Sequence, residues 1–109
     1  MELDKETQEK IQELQSYEHT LQNLLMQKQA FQFEANETEN AIEEVSKSKE
    51  EVFKIVGSIM IKTDNEKILK ELKQKLEHLS IRLKSIEKQE SELTKRIEEL
   101  REEVMKKIK

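Results

Sequence analysis

Two long stretches of this chain carry apolar residues at alternating spacings of three and four, and the segment between them does not. With Leu69 taken as position a of a heptad, the a series reads Leu69, Leu76, Leu83, Glu90, Ile97 and Val104. The d series reads Leu72, Leu79, Ile86, Leu93, Leu100 and Lys107. Ten of those twelve positions are apolar, which predicts a coiled-coil helix over about 64–108. Glu90 is the one charge inside this seam. Either it fixes the register, as a polar a residue does, or its long stem carries the carboxylate to water at the seam edge. The first half repeats the spacing more loosely through Leu14, Tyr17, Leu21, Leu24, Lys28, Phe31, Ala35, Thr38, Ile42 and Val45, with Ile11 and Leu25 widening the stripe. It predicts a helix over about 4–49, and each helix would reach roughly 65 Å at 1.5 Å per residue.

The two seams match when the chain is folded back on itself. If facing residues have numbers that add to 114, Leu14 meets Leu100, Tyr17 meets Ile97, Leu21 meets Leu93, Phe31 meets Leu83, Ile42 meets Leu72 and Val45 meets Leu69. Lys28 and Glu90 then fall in neighbouring layers, opposite Ile86 and Leu24, and partly offset each other. The mirror point is Gly57, the only glycine of the chain. A shift by one heptad would satisfy the same pattern. Thr63 with Glu66 three residues on reads as a capping box for the second helix, and Asp64 adds negative charge where the helix dipole favours it.

Around Gly57 the text is VFKIVGSIMIK, Val52 to Lys62, apolar and β-branched without a helical period. Val52–Val56 and Ile59–Thr63 have the residue types of short strands. Gly57-Ser58 suits the two-residue loop of a type II′ hairpin over about 52–63, since that turn wants glycine first. Val52, Val56, Ile59 and Ile61 then share one face and Phe53, Ile55 and Met60 the other, with Lys54 and Lys62 as interruptions. The competing reading, an apolar helix running through the middle, is opposed by Gly57 and the β-branched residues. A two-stranded hairpin with two apolar faces and two unpaired edges is marginal alone and is an association site. The helices use their apolar stripes on each other, so oligomerisation through Val52, Phe53, Ile55, Val56, Gly57, Ile59, Met60 and Ile61 follows from burial.

Composition agrees with this reading and narrows it. Of 109 residues, 40% are charged and 34% hydrophobic, with 24 acidic against 20 basic and four aromatic residues. Such a chain has too little apolar material for an ordinary globular core, while balanced charge with periodic apolar residues belongs to coiled coils rather than to disorder. Proline is absent, so nothing forces a break in either helix. Cysteine is absent, which excludes disulfides and thiolate metal sites and fits a reducing compartment. The N-terminus lacks the apolar stretch of a secretory signal and no run is long enough to span a membrane, so a cytoplasmic protein is expected. A net charge of −4 argues against nucleic-acid binding. His19 and His78 both lie outside the seam and read as surface residues. Asn36-Glu37-Thr38 matches a glycosylation sequon only by chance, in mid-helix. Neither a triad, a phosphate loop nor a HExxH motif is present, so no catalysis, metal or cofactor is expected.

A helical arm, then EVFKIVGSIMIKTDNE, then a matching arm resembles the prefoldin β-type subunits. The specific part is Val52-Phe53-Lys54, Gly57, and Ile59-Met60-Ile61-Lys62 before the second helix; MQKQAFQFEANETENAIEEV, residues 26–45, resembles the first arm of the archaeal form. Ser58 stands where eukaryotic relatives tend to have proline, which favours the archaeal side. α-type subunits are longer with two hairpins, so the single insert points to the β type. The resemblance spans the whole chain, 1–109, as one prefoldin domain: mainly α, an antiparallel two-helix coiled coil joined by one β-hairpin, with hairpins of several chains forming β-barrels. It implies a hexamer of two α and four β subunits, an ATP-independent chaperone rather than an enzyme, which holds unfolded polypeptides at its coiled-coil tips and delivers them to a group II chaperonin. By the residues alone, the apolar side chains at the helix ends far from the hairpin, Met1, Leu3, Ile11, Val104, Met105 and Ile108, read equally as frayed turns or as adaptable grips; the resemblance implies the second. Lys106, Lys107 and Lys109 either complement the helix C-terminal dipole or contact an acidic chaperonin surface. The alternative function is a structural tether or scaffold that uses its hairpin only to oligomerise.

Overall fold

The structure, a computed structural model, describes residues 4–108. Helix α1 runs Lys5–Lys47, strand β1 Val52–Val56, strand β2 Ile59–Thr63 and helix α2 Asn65–Ile108. The chain divides into two compact units. One holds α1 up to Gln29 with α2 from Lys84; the other is Ala30–Leu83 and contains the hairpin.

Each helix start is fixed by an aspartate. Asp4 Oδ1 accepts the Thr7 amide at 2.7 Å, and Asp64 Oδ1 accepts the Lys67 amide at 2.7 Å. Each satisfies a first-turn N–H that has no partner inside the helix. The expected capping box therefore sits one residue late: Asp64 is the cap, because Thr63 is still in the ladder, paired with Val52. At the other end of α1, the Ser48 amide reaches both the Glu44 and Val45 carbonyls, at 3.1 and 3.2 Å. The Asn65 side-chain amide then donates to the Ser48 carbonyl at 2.9 Å and the Val45 carbonyl at 3.3 Å. One side chain from the first turn of α2 thus finishes the C-terminus of α1.

In the unit that carries the helix ends, the seam residues leave solvent as their spacing requires. Leu24, Ile86, Ile97, Leu100 and Val104 are buried, Leu100 completely, while Leu14, Tyr17, Leu21 and Leu93 are half-buried. Thr7, one heptad before Leu14, extends the seam and is 2% exposed. Lys107 alone of the expected seam is exposed. In the hairpin unit, Ala35, Thr38, Ile68 and Leu79 are buried, and Thr38 satisfies its hydroxyl by donating to the Glu34 carbonyl at 2.8 Å. Burying one such aliphatic side chain contributes roughly 1.5–3 kcal/mol, so the seam and not helix propensity holds the pairs together.

Polar cross-links report the register. With Leu14 as position a of α1, Glu13 and Arg96 are both g, and Glu18 and Arg101 both e. Antiparallel helices whose a and d layers add to 114 bring g residues together at 109 and e residues at 119. Glu13–Arg96 at 3.6 Å and Glu18–Arg101 at 2.8 Å fit those sums, as does Glu34–Lys75 at 3.1 Å in the hairpin unit. The heptad-shifted alternative is excluded in both units. The Arg82 guanidinium, also at g, lies 5.2 Å from the centre of the Phe31 ring, a cation–π contact.

Candidate functional site

The hairpin is a two-stranded antiparallel sheet in which Val52 pairs Thr63, Phe53 pairs Lys62, Lys54 pairs Ile61, Ile55 pairs Met60 and Val56 pairs Ile59. Gly57 has φ +62°, and no non-glycine residue described has positive φ, so Ser58 is negative. That sign pattern is type II′ rather than I′, and it matches the right-handed twist of the strands. A Cβ at Gly57 would meet nothing within 4 Å; the need for glycine there is conformational, not steric crowding.

Cross-strand partners share a face, so Val52, Lys54, Val56, Ile59, Ile61 and Thr63 form one side and Phe53, Ile55, Met60 and Lys62 the other. The first side is partly covered at its base, where Val52, Lys54 and Thr63 are half-buried and Lys54 Nζ lies 3.6 Å from Glu71 of α2. Towards the turn both sides are open. Of the twelve large apolar residues exposed among those described, six lie here: Phe53, Ile55, Val56, Ile59, Met60 and Ile61, between 41% and 72% exposed. The two lysines that interrupt the faces are neutralised by carboxylates, Lys54 by Glu71 and Lys62 by Glu51 at 3.0 Å. Each strand has one unpaired edge. Apolar faces with free backbone donors and acceptors beside them make a template for further strands.

The helix ends are arranged differently from the expectation in one respect. Val104 is a packed seam residue, 7% exposed, and Ile11 is half-buried; Met105 and Ile108 are the exposed pair, at 53% and 39%. Met1, Leu3 and Lys109 lie outside the described residues. Lys106 and Lys107 are exposed. Hydrogen bonds from the Thr7 side chain and amide hold the Asp4 carboxyl below its ordinary range, with Lys107 a smaller aid. Partial desolvation pulls the Lys10 ammonium down, and the carboxylates of Glu103 and Glu6, each 3.4 Å away, outweigh it and hold it above its ordinary value.

Within the seam, Lys28 Nζ and Glu90 Oε2 meet at 3.0 Å, their side chains 24% and 28% exposed. The Glu90 carboxylate is thus neither free in water nor alone in the core. His19 and His78 are exposed. Among the described residues, no group of His, Cys, Asp or Glu is arranged to hold a metal ion, and no helix is long and apolar enough to cross a membrane. Met26, Phe33 and Ile81, 68%, 65% and 59% exposed, were not singled out by the sequence reading. All three occupy f positions, the outermost of the heptad, and apolar residues at f are the signal that would have found them.

The hairpin is thus a two-stranded sheet left apolar towards its turn and unpaired on both edges. A sequence model of the prefoldin subunit family matches residues 8–109. The prefoldin subunit beta of Thermococcus onnurineus is 39% identical over 94 residues, covering 84% of this chain and 81% of that protein. That of Methanosarcina acetivorans is 37% identical over 105 residues, 94% of this chain and 90% of that protein. The crystal structure of the prefoldin beta subunit from Thermococcus strain KS-1 superposes with a TM-score of 0.88 at 33% identity, covering 96% of this chain and 94% of that one. The chain belongs to the prefoldin subunit family, and these relatives are archaeal β subunits. Members of the family are chaperone subunits rather than enzymes, and they work within a prefoldin complex with other subunits.

Proposed function

We propose that this chain is one of four β subunits that join two α subunits in a cytoplasmic prefoldin hexamer. Its hairpin pairs edge to edge with those of its neighbours into β-barrels. The observation that carries the reading is the hairpin itself, with six exposed apolar side chains and two unpaired edges in a two-stranded sheet. The helix ends hold unfolded polypeptides without ATP and pass them to a group II chaperonin. Met105 and Ile108 offer adaptable apolar contacts at once, and Ile11 and Val104 become available when the last turns separate, with Met1 and Leu3 adding to the same end. Lys106, Lys107 and Lys109 meet an acidic chaperonin surface.

Two experiments test this. Phe53→Asp or Ile59→Asp keeps helical content but lowers the assembly mass in sedimentation; an unchanged mass removes the burial argument. A denatured model protein diluted into the chain with an α subunit scatters less light, and deleting residues 1–11 and 104–109 abolishes that protection while assembly persists. A tether that only oligomerises through the hairpin would bind one folded partner and give no protection against aggregation, and absence of suppression at stoichiometric hexamer would sink the holdase reading.

A further inference from the structure

Assembly through the hairpin, as proposed above, holds equivalent helices of neighbouring copies at high local concentration. Two heptad helices under those conditions have an alternative to folding back on their own chain: α1 can pair in parallel with α1 of the next copy, or α2 with α2. The charges that tie the unit of the helix ends together bear directly on that alternative. We infer that Glu13, Glu18 and Lys28 of α1, with Glu90, Arg96 and Arg101 of α2, form a partner-selection code that favours pairing within the chain and rejects pairing of like helices between copies.

Each of these residues has an opposite charge in the native pair: Glu13 with Arg96, Glu18 with Arg101, and Lys28 with Glu90. Parallel, in-register helices change every partner, because a faces a, and g faces the e residue five positions later. Two α1 helices would then bury Lys28 against Lys28 and set Glu13 beside Glu18, and further on Glu34 beside Glu39. None of the g–e contacts of α1 would be attractive. Two α2 helices would bury Glu90 against Glu90 and set Arg96 beside Arg101, with Arg82 and Glu87 the single attraction. Antiparallel pairing of two α1 copies fares no better: the register that aligns Glu13 with Glu34 also aligns Glu18 with Glu39. The same side chains therefore attract in the fold-back and repel when either helix pairs in parallel with its own copy or α1 pairs antiparallel with α1, which is how specificity is built against competitors rather than only for the target.

The test keeps the flanking attractions within the chain, at 13–96 and 18–101, and removes the repulsions between copies that involve residues 13, 18, 28, 90, 96 and 101. The variant Lys28→Leu, Glu90→Leu, Glu18→Arg, Arg101→Glu replaces the seam pair with apolar residues and swaps one flanking pair in place. In parallel pairs it turns Glu13–Glu18 and Arg96–Arg101 into attractions. The chain has no cysteine, so a single Leu21→Cys at position a reports parallel α1 pairing by an interchain disulfide; in the native pairing it faces Leu93. His19→Cys, at an outward f position, reports random collision. With the natural charges, Cys at 21 should cross-link no more than Cys at 19. In the charge variant, cross-linking at 21 should rise about tenfold over position 19 with helical content retained. Cross-links that stay at the collision level, or that rise equally at both positions, overturn the code, as does strong cross-linking at 21 with the natural charges. If the fourfold variant loses helicity, the swap Glu18→Arg with Arg101→Glu carries the test alone, read the same way with a smaller rise. Sedimentation of the same variants checks assembly separately, so loss of the hairpin interface is not mistaken for loss of the code.

Discussion

Asn65 is the residue whose removal should be felt furthest from its own position in the sequence. Its side-chain amide donates to the carbonyls of Ser48 and Val45, at 2.9 and 3.3 Å, in a partly buried junction. Val45 keeps a second donor, the Ser48 amide at 3.2 Å, so the main loss in Asn65→Ala falls on the Ser48 carbonyl. An intramolecular hydrogen bond contributes about 0.5–1.5 kcal/mol, and a buried acceptor left without its partner costs about 1–3 kcal/mol. Partial burial places the loss near the lower end of that range, and the better helix propensity of alanine returns up to about 0.5 kcal/mol. The expected net is a destabilisation of about 1 kcal/mol, near 4 °C in melting temperature for a chain of this size. The experiment is a thermal melt followed by circular dichroism at fixed protein concentration, paired with amide exchange at residues 44–51. Exchange there should quicken, while the far ends of α1 and α2 keep their protection. Asn65→Asp is the sharper variant: it loses the donors and points a carboxylate at two carbonyl oxygens, so it should destabilise at least as much despite its favourable place in the first turn of α2. If Asn65→Ala melts with the unaltered chain and exchange at 44–51 is unchanged, the junction does not depend on this side chain.

Three further outcomes follow from the same geometry. Lys28→Met leaves the Glu90 carboxylate unpaired at the seam; breaking a fully buried pair costs about 3–5 kcal/mol, and with a quarter of each side chain exposed the expected loss is about 1–2 kcal/mol. The double variant Lys28→Leu with Glu90→Leu should be within about 1 kcal/mol of the original or more stable, and denaturant melts that show the single variant as harmless as the double would refute the pairing. Gly57→Ala forces an L side chain into φ +62° and should cost about 1 kcal/mol, with Gly57→Asn milder; equal melts for all three would show that the turn does not need the left-handed conformation. Asp4 is held below its ordinary value near 3.8 by its bonds to Thr7, so the folded chain binds that proton less tightly than the unfolded one. Its contribution is present above that value and fades as pH falls through the folded pKa. Asp4→Asn should therefore flatten the acid limb of the stability curve, and an unaltered limb would count against the cap.

The sequence alone determined the elements and the seam, because those follow from periodicity, and it narrowed the register to the fold-back about Gly57 or a shift by whole heptads, between which the ion pairs of the folded chain decide. Residues three and four apart fall on one helix face whatever their surroundings, and a glycine between two β-branched runs has few conformations to choose from. The Lys28–Glu90 contact was legible for the same reason, since the fold-back arithmetic puts two lone seam charges in adjacent layers. The tertiary structure decided what depends on side chains meeting across sequence distance. It chose Asp64 over Thr63 as the cap, because pairing with Val52 keeps Thr63 in the strand. It gave Asn65 to the carbonyls of α1, a use that no local pattern signals. It showed that Val104, at position a of the heptad and also counted among the free helix ends, has a seam to pack into, while Met105 and Ile108 stay in solvent. It also covered only the base of the hairpin, where Lys54 reaches Glu71, and left the apolar faces near the turn open. Periodicity can say that a side chain points inward or outward along its own helix, but only the folded pair says what is there to meet it.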